Sequence, residues 1–174
     1  MTDKTDFRKR FLALRERLKS PEKDEAILSR FLSSPFFGKT DFFVYHSVGS
    51  EADTLAIIGA LLSADKRVLL PRIHKGEMLS VPYSKERERV FGIPQPKSGE
   101  DTQAEIILTP LVAFDKEGYR LGYGGGYYDR YFASHRGLRV GLAHEGQAAE
   151  FLPREEFDKP LHAVITEAGI RYFN

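Results

Sequence analysis

One stretch constrains this chain more than any other. Residues 108–131 read LTPLVAFDKEGYRLGYGGGYYDRY, an apolar strand pattern that leads into a glycine-rich turn and then a helix. In an open α/β sheet, ligands sit beyond the carboxyl ends of the strands. Glycines there let backbone N–H groups turn toward an anion with no Cβ in the way, and the following helix adds the positive end of its dipole. Two familiar phosphate loops do not fit. A dinucleotide fingerprint on Gly122 and Gly124 would need a third glycine where Tyr127 stands, and a Walker A loop would need Gly-Lys-Ser/Thr where Tyr-Tyr-Asp follows. Arg120 before the run and Asp129 after it place two opposite charges at the turn. On the residues alone two readings stay open: a phosphate cradle of another kind, or a tight turn that needs glycine for positive φ with tyrosines as packing.

The rest of the pattern tells what carries that turn. Phe7, Phe11, Leu14 and Leu18 share one face of a helical period. Ser20, Pro21 and the acids after them stop that helix and start a second, expected to run to about Ser33. Phe42 to Tyr45 reads as a strand, and Leu55, Ile58, Leu61 and Leu62 as a helix capped by Asp53 or Thr54. Arg67 to Leu70 reads as a buried strand ended by Pro71, and Met78 to Tyr83 as a hairpin strand. Pro94, Pro96 and two glycines mark Phe91 to Gly99 as loop. Glu105 to Leu108, Leu138 to Leu142 and Ala163 to Thr166 are further strands, Tyr127 to Ser134 is a helix, and Ile170 to Phe173 closes a last hairpin. Strands alternating with helices predict a three-layer αβα fold: a Rossmann-like, mostly parallel sheet with helices on both faces. The 174 residues show no repeat or linker, so one domain over 1–174 is expected.

Composition then removes whole classes of chemistry. With no cysteine, disulfides, thiolate zinc sites, iron–sulfur clusters and cysteine nucleophiles are excluded. Twenty-six Lys and Arg against 25 Asp and Glu leave a net charge of +1, which gives no broad pull toward nucleic acid or anionic lipid. The alternating charges of Lys85-Glu86-Arg87-Glu88-Arg89 read as a solvated edge or loop. No run of apolar residues is long enough to span a membrane, and the charged first 17 residues lack the apolar region of a secretory signal, so a cytoplasmic protein is expected.

The segment Arg-Leu-Gly-Tyr-Gly-Gly-Gly-Tyr-Tyr-Asp-Arg, preceded by Pro-Leu-Val-Ala-Phe-Asp, resembles the signature of the 5-formyltetrahydrofolate cyclo-ligases, or methenyltetrahydrofolate synthetases. Weaker pieces follow in the family's order: Lys4-Thr5-Asp6-Phe7-Arg8, Glu51-Ala52-Asp53-Thr54, Leu69-Leu70-Pro71-Arg72, Gly92-Ile93-Pro94-Gln95-Pro96 and Phe157-Asp158-Lys159-Pro160. The resemblance implies an enzyme that uses ATP and Mg²⁺ to convert 5-formyltetrahydrofolate into 5,10-methenyltetrahydrofolate, with release of ADP and phosphate. Its expected partners are these small molecules alone, and it is expected to be a monomer.

Carried over residue by residue, the family pattern assigns ATP to Lys4, Arg8, Arg120, Leu121, Gly122, Tyr123, Gly124, Gly125, Gly126, Tyr127 and Tyr128. It assigns the folate to His46, Glu51, Tyr123, Gly124, Gly125, Gly126 and Tyr127, and the metal to Asp129 and Asp158. Arg120 and Tyr127 carry the catalytic roles. Each has a bland counterpart. Lys4 and Arg8 share a face that solvent alone could occupy, and Arg120 could pair with Asp115 or Glu117. Asp129 could pair with Arg130, Asp158 could start an Asp-Lys-Pro turn, and Glu51 could complement the next helix. Two other functions stand beside the enzyme: a non-catalytic folate- or nucleotide-binding module, and a small-molecule kinase using the same loop.

Overall fold

The computed structural model describes residues 3–174. Its elements follow the apolar pattern closely through the first half of the chain. Helix α1 (Lys4–Leu18) is capped by Asp3, whose carboxylate accepts from Asp6 N, and α2 (Pro21–Leu32) by Ser20, which accepts from Lys23 N. Then come β1 (Asp41–Val44), α3 (Leu55–Ser63), β2 (Arg67–His74), β3 (Glu77–Pro82), β4 (Arg87–Val90) and β5 (Ile93–Pro96). The second half contains β6 (Ile106–Thr109), β7 (Ala113–Asp115), β8 (Arg120–Leu121), α4 (Tyr127–Ser134), β9 (Leu138–Leu142), β10 (Ala148–Ala149), β11 (Ala163–Thr166) and β12 (Gly169–Tyr172).

Seven strands form the main sheet in the order β12-β11-β9-β6-β1-β2-β3. The five inner strands run parallel, and antiparallel β3 and β12 close the edges. Alternation along β1 sorts the layers. Phe42 and Val44 point to one face, where Ile27 and Phe31 of α2 and Ile57 and Leu61 of α3 cover them. Phe43 points to the other, where its ring stacks on Tyr131 of α4 at 4.6 Å. This second face is shared. Helix α4 covers one half, and a small sheet of order β10-β7-β8 covers the other through Leu111 and Phe114, with α1 packed on its far side through Phe11. The αβα expectation therefore holds, with a small sheet inserted beneath one of its outer helices.

Gly141 makes that insertion possible. A Cβ there would stand 2.8 Å from both Leu111 Cδ2 and Leu161 Cδ1, so β9 accepts the small sheet only because the position is bare. Gly141→Ala is expected to cost about 1–3 kcal/mol of stability through overpacking. Urea unfolding read by circular dichroism checks it, and an unchanged midpoint would contradict this packing account.

Two expectations need correction. Strand β2 does not stop at Pro71 but runs on to His74, because β1 pairs with it only as far as Leu69. Beyond that point β2 has a neighbour on one side alone, where the missing proline N–H is tolerated. The stretch expected as loop contains β5, which pairs with β4 around a two-residue turn at Phe91 and Gly92, both at positive φ (53° and 76°). The alternating charges of residues 87–89 form β4 of that hairpin. Gln95 pins the hairpin to β2, accepting from Ile73 N at 2.9 Å and donating to Ile73 O at 3.3 Å.

Candidate functional site

The parallel order reverses its winding at the centre of the sheet. From β1 the chain crosses by α3 to β2 on one side, whereas β6 lies on the other side of β1 and leads on to β9. A crevice opens at such a switch point, outside the carboxyl ends of the two strands. Here Tyr45 and His46 follow β1 and Pro110 follows β6, and all three line a cavity of about 630 Å³. Every residue nominated from the sequence lines the same cavity, although they come from α1, the loop after β1, β8, the glycine turn after it, α4 and the 155–158 turn.

At one end lies the glycine turn. Gly124 and Gly126 have φ of 101° and 73°, values that L side chains rarely adopt. Gly126 is the N-cap of α4, and no side chain caps that helix. Arg8 donates from Nε to Gly122 O at 2.8 Å, and a Cβ at Gly124 would meet the Arg8 guanidinium at 3.3 Å. Arg8 thus lies on the turn instead of in solvent. Arg120 is almost wholly buried, stacked on the rings of Tyr128 and Phe132 at 5.4 and 5.3 Å. Its Nε has no partner, and burial pulls its pKa below the ordinary arginine value, against the pull of Asp129, Tyr128 and Asp158. Its pairing is with Asp129 at 3.4 Å, whereas Asp115 and Glu117 pair with Arg154. Asp129 does not pair with Arg130, which donates to Gly125 O instead.

Two acids stand beside these cations. Asp158 accepts from Lys4 Nζ at 2.9 Å and from Glu155 N at 2.8 Å, so it both closes its own turn and reaches α1. Lys4 also reaches Glu155 at 3.2 Å. Asp129 and Asp158 both lie close enough to Arg120 to act on its charge. Among the described residues no group of three metal-ligating side chains forms. Asp129 and Asp158 both line the cavity, and hard carboxylate oxygens are the donor type that suits Mg²⁺, which fills its remaining positions with water and substrate phosphate.

The other end is apolar and aromatic, with one carboxylate. Glu51 is buried; its Oε1 accepts from Val48 N at 2.8 Å and its Oε2 from the Tyr123 hydroxyl at 2.9 Å. Burial raises its pKa, opposed by those hydrogen bonds and by Arg15 and Lys19. Tyr128 is also pushed up, by burial first and the Glu51 charge second. Its ring packs toward Phe43 and Phe132, while Tyr127 lies against Gly125 and under Arg130. His46 Nδ1 is buried with no partner.

The sequence reading missed two contributors. Arg15 lies four residues after Phe11 and is buried with it, a placement that its charge conceals in the sequence. Phe91, 78% exposed at the tip of the β4–β5 hairpin, lines the cavity together with the exposed ring of Phe157. A bulky residue at positive φ was a signal only once the turn was seen to be a two-residue hairpin.

This geometry now meets the relatives. A model of the 5-formyltetrahydrofolate cyclo-ligase family matches residues 1–167. The chain belongs to that family. It is 39% identical over 141 residues to the 5-formyltetrahydrofolate cyclo-ligase of Escherichia coli K12, covering 73% of this chain and 78% of that one. To the cyclo-ligase of Haemophilus influenzae it is 38% identical over 136 residues, 70% and 73% of the two chains. The NMR structure of Aquifex aeolicus 5,10-methenyltetrahydrofolate synthetase superposes with a TM-score of 0.88 at 32% identity, covering 98% of this chain and 93% of that one. The Mycoplasma pneumoniae synthetase shares the fold at a TM-score of 0.76 and 24% identity, over 95% and 99% of the chains. The glycine turn that joins β8 to α4 lies inside the matched residues.

Proposed function

We propose that this cyclo-ligase converts 5-formyltetrahydrofolate to 5,10-methenyltetrahydrofolate at the switch-point cavity, using ATP and Mg²⁺ and releasing ADP and phosphate. In this reading it acts as a monomer. The observation that carries the reading is Arg120: a buried guanidinium with an unpartnered Nε, beside an uncapped helix start and a glycine turn, in the same cavity as a buried carboxylate.

An N-formyl oxygen is a poor leaving group until it is activated. It attacks the γ-phosphorus, the new O–P bond forms, and the bond to the β-phosphate oxygen breaks to free ADP. N10 then attacks the formyl carbon and loses its proton, and phosphate departs with the electrons of the C–O bond. Such transfer is mainly positioning and charge neutralisation, with no protein nucleophile needed. In this reading the N–H groups of residues 122–128 wrap the triphosphate, and Arg120 faces the γ-phosphate with its planar fork. Lys4 and Arg8 exchange their present partners, Asp158 and Gly122 O, for phosphate oxygens. Asp129 and Asp158 would hold the Mg²⁺, which supplies charge neutralisation on the phosphates. Glu51 accepts from pterin N–H groups, and the Tyr127 ring and the Phe91 tip supply flat surfaces for the ligand.

Purified chain mixed with 5-formyltetrahydrofolate, Mg²⁺ and ATP is expected to give the ultraviolet absorbance of the methenyl product, with free phosphate released in equal amount. No absorbance change beside an active control enzyme would sink the proposal. Binding without turnover would favour the non-catalytic module, and a phosphorylated acceptor that persists would favour the kinase.

A further inference from the structure

Arg15 is a buried cation that neither the family motif nor the phosphate end accounts for. It projects from α1 with 4% of its surface exposed and, among the described residues, makes no direct ion pair. A buried guanidinium is costly unless its donors are used. Here they reach three separate segments of the chain, two of which, at Ser50 and Tyr123, line the cavity. Nε donates to Ser50 Oγ at 2.9 Å, next to Glu51; Nη1 donates to Leu111 O at 3.1 Å and to the Tyr123 hydroxyl at 2.7 Å. The Tyr123 hydroxyl in turn donates to Glu51 Oε2 at 2.9 Å. The Tyr123 ring is 53% exposed, so its position depends on this chain of bonds and on the guanidinium 5.5 Å from its centroid. An apolar side chain would serve helix docking equally well at this place, four residues after buried Phe11.

We infer that Arg15 is a positioning residue for the folate half of the site: acting through the Tyr123 hydroxyl and Ser50, it sets the Glu51 carboxylate that meets the pterin. The inference rests on the reading of Glu51 as a folate contact. It also links the two halves, because α1 holds the glycine turn at consecutive residues, Arg8 at Gly122 and Arg15 at Tyr123.

Glu51 is faced by Arg15 and Lys19 from α1, Tyr45 from the end of β1, Tyr123 from the glycine turn and Tyr128 from α4. Lys19 is already engaged, donating to Glu51 O at 2.7 Å and pairing with Asp24 at 2.7 Å. Burial favours the protonated carboxyl, and Arg15 is one of the two cations that oppose it. Without Arg15 the carboxyl protonates at higher pH, so activity that needs it ionised must fail at higher pH.

Full-length Arg15→Met and Arg15→Lys test this. Arg15→Met is expected to raise the KM for 5-formyltetrahydrofolate about tenfold or more, the size of a lost charge-assisted bond. The KM for ATP should stay within about twofold, and the acidic limb of kcat/KM for folate should move to higher pH. Arg15→Lys should restore the limb but only part of the KM, since an ammonium lacks the fork. An unchanged folate KM and limb, or equal losses for folate and ATP, would overturn the inference. If Arg15→Met fails to fold, Tyr123→Phe removes the relay hydroxyl and must show the same folate-selective loss. Calorimetric folate affinities of the same variants need no turnover. They separate failure here, with wild-type binding matched by the variants, from failure of the cyclo-ligase reading, where the wild type binds but does not react.

Discussion

Arg120→Met is expected to lower kcat/KM for ATP by about 10²- to 10³-fold, with most of the loss in kcat, while the chain stays folded. The guanidinium's one side-chain pairing among the described residues, with Asp129, is long at 3.4 Å, and its packing is on the Tyr128 and Phe132 rings, which a methionine can replace. What a methionine cannot replace is a preorganised donor fork whose Nε is unused in the free enzyme. Its dehydration is already complete before substrate arrives, so the bond to the transferring phosphoryl group forms at little reorganisation cost. Steady-state kinetics on the folded variant check this, and a loss smaller than about threefold would remove Arg120 from the phosphate role.

Glu51→Gln is expected to weaken folate binding and to flatten the dependence of stability on pH. The loss of a charge-assisted pair should raise the folate KM about 10- to 100-fold. Burial raises the folded-state pKa of Glu51 above the ordinary value of 4.5, so folding takes up a proton between the two values. The contribution of the protonated form is fully present below 4.5 and is lost as pH rises through the raised folded value. Glutamine does not titrate and has no such slope, although its amide must face one of the two donors, Val48 N–H or the Tyr123 hydroxyl, that the carboxylate accepts from. Urea unfolding of both proteins should therefore show the wild type losing stability relative to the variant as pH rises above 4.5. A wild type that gains on the variant over that rise would contradict the burial account.

Much of the architecture was legible because apolar residues fell at unmixed periods. Phe42-Phe43-Val44 and Ile106-Ile107-Leu108 announce buried parallel strands, and Ser20-Pro21 marks a helix start that the structure reproduces. The small sheet was not legible. Its strands are two or three residues long, and what makes them strands is pairing across the chain, Phe114 with Arg120 and with Ala148. The hairpin at 87–96 hid behind Pro94 and Pro96, which read as breakers but occupy a two-stranded ribbon with free edges. At the site, the glycine turn stood out because its residue types are extreme. Arg15 did not, since a helical wheel records the angle of a charge but not that Ser50, Leu111 and Tyr123 converge on it from 35 to 108 residues away.

The central claim is that this cavity hands the γ-phosphoryl group of ATP to the formyl oxygen. 5-Formyltetrahydrofolate labelled with ¹⁸O in the formyl group, turned over by the enzyme in unlabelled water, tests it directly. Mass spectrometry of the released phosphate should find one ¹⁸O atom in each ion, and unlabelled phosphate would contradict the account.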